Sequence, residues 1–274
     1  MKGSFKPFGE KHAIQTVIFA VEFNAPLDTA TFREISLLHP KIKDLLPRKQ
    51  EQKAVVVNIS PTSTNTPVRT ASPEIGGVVF DRLAPDGQQQ WALSVQPNLV
   101  SVTCTEYKSW AEVWKKAEAF LSLALPIIYK SRVVTVIGLQ YIDKFIWEGT
   151  KSELNVSELF RQDSPYVVPN AYSVAGPWHS HHGYFVGKGQ PQDYNLLNNI
   201  NIDVLEEEGA RLARITTTHR SQLQTPISTH VSAVEAEQSA NTIDAYMQEM
   251  HKENKAILSK LLTDEMCERI KLNS

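Results

Sequence analysis

The stretch Trp178-His179-Ser180-His181-His182-Gly183-Tyr184-Phe185 gathers three of the chain's eight histidines into four residues beside three aromatics. Neutral imidazoles are common zinc ligands, bound at about 2.0–2.1 Å. If the segment is extended, its side chains alternate between faces: His179 and His181 share one face, about 7 Å apart along the strand, and His182 points to the other. A third ligand must then come from elsewhere, and Asp203, His219 and His230 are the residues available by type. No glutamate stands where an H-E-x-x-H helix would place a general base, so zinc here would not by itself imply hydrolysis. The competing reading is an amphipathic strand whose aromatics pack while its histidines meet water, a ligand or a partner.

Other chemistries find less support. Gly183-Tyr-Phe-Val-Gly187-Lys188-Gly189 is one residue short of a phosphate loop, with glycine where magnesium needs a hydroxyl. No G-x-S-x-G elbow is present, and Ser180 has no oriented base, because neighbours on a strand point apart. Lys41, Lys43, Arg48, Lys49 and Lys53 form a basic cluster, diluted by Asp44 and Glu51. Such a cluster reads first as a solvated face and only weakly as a nucleic-acid contact, since 28 basic against 30 acidic residues create no global field. The two cysteines, Cys104 and Cys267, lie far apart and form no C-x-x-C pair. With no signal-peptide core and no run of about 18 apolar residues, the sequence reads as soluble and cytoplasmic, with no membrane partner.

The elements that must position these residues follow from periodicity. Val17, Phe19, Val21 and Phe23 alternate as one face of a strand. Asp28 or Thr29 can cap a helix carrying Phe32, Ile35, Leu38, Ile42 and Leu45, with Pro40 splitting it and Pro47 ending it. A strand at 53–60 precedes the Ser/Thr/Pro tract 60–73, expected to be an exposed, mobile loop. Three strand-like runs at 77–84, 88–96 and 99–107 read as an antiparallel meander. Ser109 and Glu112 then form a capping box for a helix whose apolar side holds Trp110, Val113, Trp114, Ala117, Phe120 and Leu121, with Pro126 bending or ending it. This aromatic side reads as core rather than as a ligand box. A strand over 132–147, bulged at Gly138, closes the first half.

The second half offers a short helical segment at 152–160, strands near 178–186, 199–206 and 211–222, and a long helical region from about 235 to 270, interrupted at Thr263-Asp264. The expected fold class is α+β: largely antiparallel sheets with helices packed on one face, in two similar-sized halves, 1–150 and 151–274.

Within 91–147, Tyr107, Trp110 and Trp114 open a helix, and Gly138-Leu-Gln140-Tyr141-Ile-Asp143 lies on the following strand. Together they resemble a sporadically distributed family of uncharacterised bacterial and archaeal proteins, with a Y-x-x-W helix start and a G-x-R-Y-x-N strand. Gln140 stands in the arginine position and Asp143 in the asparagine position. Should the family positions bind an anion, the missing arginine removes a fork of donors. The resemblance implies no established activity, and scattered genes of this kind often lie near mobile-element or defence loci.

These observations lead to a non-catalytic protein that recognises another macromolecule, a protein partner above all, in a bacterial phage-defence or toxin-control setting. Two alternatives stand beside it. One is a metal-dependent hydrolase using His179 and His181; the other is a small-ligand sensor with its pocket between the halves. Gln140, Tyr141, Asp143, Trp178 and His182 are the residues expected to contact a ligand or partner. No cofactor other than zinc is suggested.

Overall fold

In a computed structural model of the chain, residues 3–60, 68–174, 176–188, 194–228 and 233–272 are described. The first half contains β1 (Ser4–Pro7), β2 (Ile14–Phe23), α1 (Thr29–Ser36), α2 (His39–Ile42), β3 (Arg48–Ser60), β4 (Val68–Leu83), β5 (Gln89–Gln96), β6 (Leu99–Cys104), α3 (Trp110–Ile128) and β7 (Val134–Glu148). The second half contains β8 (Trp178–Lys188), β9 (Tyr194–Glu207), β10 (Ala210–Ile227), α4 (Ala233–Leu261) and α5 (Asp264–Arg269), with three short 3-10 turns before β8.

The fold is α+β, and its strands form one antiparallel sheet in the order β3-β4-β5-β6-β2-β7-β10-β9-β8, with β1 also on β7. β7 is the junction, because it pairs with β2 on one side and β10 on the other. Alternation along β7 explains how. Ile137, Leu139, Tyr141, Phe145 and Trp147 are buried on one face, while Gln140 on the other donates to Thr218 Oγ1 at 2.7 Å. The buried face carries two apolar clusters. One joins β2, β5, β6 and α3 to the first part of α4, and the other joins Phe145 and Trp147 to β9, β10, the end of α4 and α5.

Local chemistry explains the element ends. Asp28 caps α1 by accepting from the Thr31 amide at 2.7 Å, and Ser109 caps α3, its hydroxyl also donating to Glu112. Glu208 and Gly209, with φ of 49° and 82°, make the tight turn between β9 and β10, since a two-residue hairpin turn of this kind needs positive φ at both positions. Thr263 ends the long helix and caps α5, as its spacing indicated.

Several expectations are corrected. The chain leaves helical geometry after Ile42, so Leu46 is buried and Leu45 is 49% exposed. The second strand starts at Arg48 rather than 53, and Val68–Pro73 belongs to β4 rather than to a loop, while 61–67 lie outside the described residues. Pro126 does not end α3, which runs on to Ile128; in the last turn a missing amide removes only one terminal hydrogen bond. The segment 152–160 forms 3-10 turns with strand-like links, not one helix. Finally, the irregularity near β7 is not at Gly138. Gly138 stays in register with Ala20; the extra residue on β7 is Thr135, between the pairs Glu22–Val136 and Phe23–Val134, and that on β2 is Gln15, between the pairs Ile14–Asp143 and Thr16–Ile142.

Candidate functional site

That bulge lies directly opposite Asp143, the one acid on the buried stripe of β7. Bulges re-aim side chains and interrupt pairing, and they recur beside functional sites. Here the start of β2, the segment leading into α3, β7, α4 and the residues after α5 surround a cavity of about 260 Å³. Its walls come from both apolar clusters: Tyr141 belongs to one, Leu258 and Ile270 to the other.

Asp143 closes the floor. It is 1% exposed, and its Oδ2 is sealed from solvent without a hydrogen-bond partner. Removing a carboxylate from water penalises the charged form, and this burial alone pushes the Asp143 carboxyl from an ordinary 3.8 up to about 7. Its negative charge acts on both nearby phenols: Tyr107 and Tyr141 are raised, first by burial and further by Asp143. The Tyr141 hydroxyl lies 2.8 Å from His251 Nδ1. Burial, with Lys255 as a neighbouring like charge, lowers His251 to about 4, so its ring is neutral at pH 7. His251 stacks flat on Trp110, ring centres 4.1 Å apart and planes 3° from parallel. Trp110 and Trp114 are tied to α4 through Gln248 (2.7 Å) and Asp244 (2.6 Å).

His12 completes the inner wall. Its ring meets Tyr107 edge-on at 5.3 Å, its Nδ1 is buried without a partner, and burial lowers its affinity for a proton. The outer wall is of opposite character: Lys11, Lys108, Lys255 and Lys271 all line the cavity, where Asp143 is the single acid among the described residues. Behind the cavity, Asn254 passes into a buried polar chain. Thr217 donates to Asn254 at 2.6 Å, and His219 sits between Asn198 (2.7 Å) and Asn254 (3.3 Å). Burial lowers His219 to about 4, so it is a neutral hydrogen-bonding strut rather than a charge.

The expected contact residues divide between different places. Tyr141 and Asp143 come together in the cavity, joined by Tyr107 and Trp110 from the helix start, so two separate sequence motifs converge on one wall. Gln140 faces the opposite side of the sheet. Trp178 packs against Phe160 at 6.2 Å, and His182 lies between Tyr166 (5.8 Å) and Tyr184 (5.6 Å); both are on β8, away from the cavity lining.

His179 and His181 do share the outer face of β8, opposite Asp203 and Asn201, and His181 is hydrogen-bonded to Asn201. His219 is buried on the other face, and His230 lies outside the described residues. Among the described residues no group of three or more His, Cys, Asp or Glu side chains converges to hold a metal. Arg48 and Lys49 of the basic cluster pair with Asp81 and Glu51. No described helix is long and apolar enough to cross a membrane.

Sequence reasoning missed His12, His251, Asn254 and Lys255. The last three recur at helical spacing with Leu258, and polar residues on an otherwise apolar helix face were the available signal. No protein-family model matches this chain, and no curated protein matches it in sequence.

Proposed function

We propose that this chain is a non-catalytic binding protein that senses a small molecule in the cavity closed by Asp143. One observation carries the reading: a carboxyl group buried in a cavity wall with no hydrogen-bond partner for Oδ2. Buried polar atoms are nearly always paired, and an unpaired one costs about twice what a normal hydrogen bond contributes. A cavity with convergent polar groups and a perturbed acid is the usual form of a small-molecule site. About 260 Å³ suits a ligand of roughly ten to fifteen heavy atoms. Lining residues from 11–14, 107–110 and 141–143 face others from 251–272, so on this reading the ligand joins the two similar-sized halves of the chain.

The test is thermal unfolding in the presence of small-molecule fragments. A ligand of the native state at 100 times its Kd stabilises by about 2.7 kcal/mol, and Asp143→Asn should abolish or reverse that ranking of ligands. Fragments that stabilise parent and variant equally would remove Asp143 from the site.

A second reading, an adaptor for a protein partner, is favoured by a different observation. β8 ends the sheet and carries Phe185, 70% exposed, on the same face as His179 and His181. Free strand edges recruit partner strands. The resemblance carried by Tyr107, Trp110, Gly138 and Tyr141 would set such an adaptor in phage defence or toxin control. Affinity capture from native cells tests it, with Phe185→Ser expected to release the partner and retention by that variant counting against it.

A further inference from the structure

The two ends of the cavity demand opposite chemistry. At the floor, the buried polar atoms without partners are Asp143 Oδ2 and His12 Nδ1. At the outer wall are four ammonium groups, those of Lys11, Lys108, Lys255 and Lys271, together with the start of the 19-residue helix α3 at Ser109-Trp110. Helix starts and lysines both favour anions.

A simple anion would satisfy the lysines but leave Asp143 unpaired and add repulsion to it. A simple amine would satisfy Asp143 but meet four like charges on the way in. A neutral molecule leaves Asp143 without a counter-ion. We propose that the ligand is a small zwitterion whose amine meets Asp143 at the floor and whose carboxylate or phosphate meets the lysines at the mouth. This rests on the small-ligand reading above and adds the ligand's class.

The amine supplies the cation that the protein omits beside Asp143. Binding should therefore move a proton. Burial pushes the free carboxyl up to about 7, so it is partly protonated near neutral pH, and the amine draws it towards the ionised form. Burial lowers the proton affinity of His12 and holds His251 neutral, Tyr107 and Tyr141 keep their protons, and the four lysines are the remaining charged groups facing the cavity among the described residues.

Titration calorimetry on the full chain provides the test. The zwitterions are the ω-amino acids from glycine to 6-aminohexanoate and the matching aminoalkyl phosphates; the comparators are the corresponding amines, carboxylates and inorganic phosphate. At least one zwitterion should bind ten-fold or more tightly than either of its halves, and the carboxylate and phosphate series reveal which anion the mouth prefers. Repeating the titration in two buffers of different ionisation heat should show net proton release at pH 7.

Asp143→Asn should cost the zwitterion ten-fold or more and abolish the proton release, with no loss for the simple anions. The double variant Lys108→Ala/Lys255→Ala, at partly or fully exposed positions, should weaken zwitterion and anion together. Zwitterions that bind no better than their halves overturn the proposal. If neutral, purely anionic or purely cationic fragments occupy the cavity while no zwitterion does, the proposal fails and the small-ligand reading stands. If no fragment of any class occupies it, both fail.

Discussion

Replacing Asp143 with asparagine should stabilise the protein at alkaline pH and not at acid pH. Asn keeps the shape of the side chain but cannot ionise. In the parent, the folded-state carboxyl titrates at about 7 and the unfolded one near the ordinary 3.8. Between those values the folded state holds more protons than the unfolded state, so stability falls as pH rises from about 4 and levels off above about 7. At 1.36 kcal/mol per pH unit, the gap amounts to about 4 kcal/mol as an upper bound. In a chain of 274 residues that is on the order of 8 °C in melting temperature.

His219 and His251 oppose this trend in the parent. Both are lowered from 6.5 to about 4, so their contribution is present above 6.5 and lost as pH falls towards 4. The difference between variant and parent cancels these terms and isolates Asp143. Urea unfolding at pH 5 and pH 8 is the assay, with the variant expected to gain at least 1 kcal/mol more, relative to parent, at pH 8. An equal difference at the two pH values would refute the claim that Asp143 is buried without a compensating partner.

Other consequences follow from the same structure. His219→Leu should cost about 1–3 kcal/mol in urea unfolding, because it removes the buried ring contacts to Asn198 and Asn254 and leaves them only Glu253 and Thr217 among the described residues; it should also flatten the acid limb of the stability profile. Ser109→Ala removes the α3 cap, at a cost of about 1 kcal/mol, read by the same assay. Untagged protein prepared without chelators should carry well under one zinc per chain, since His179 and His181 have no converging third ligand among the described residues. One zinc per chain, lost in the His179→Ala/His181→Ala variant, would reinstate a metal centre on β8.

Much of the architecture was legible because alternation and helical spacing are local. The β2 stripe Val17-Phe19-Val21-Phe23, the Ser109 cap and the break at Thr263 appear where the sequence placed them. The resemblance to a G-x-R-Y-x-N strand also singled out Asp143 beside Tyr141, the pair that meets in the cavity. What stayed hidden was long-range. His251 is 110 residues from the tyrosine it contacts, and no spacing within α4 announces that partner. The bulge at Gln15 depends on how β2 meets β7, not on the residues of either strand alone. The histidine-rich segment drew attention by density, but a strand sends alternate residues to opposite faces, and an edge position on β8 leaves its ring nitrogens to solvent and to Asn201.

The central claim, that the cavity at Asp143 is the receptor, is tested most directly by the five tryptophan indole N–H resonances in the NMR spectrum of the nitrogen-labelled chain. Trp110 lines the cavity and stacks on His251, whereas Trp147 and Trp178 lie in the other apolar cluster. A bound small molecule should shift the Trp110 signal, assigned by its disappearance in Trp110→Phe, and leave those of Trp147 and Trp178 in place. Ligands that shift Trp178 or Trp147 while Trp110 stays unmoved would contradict the account.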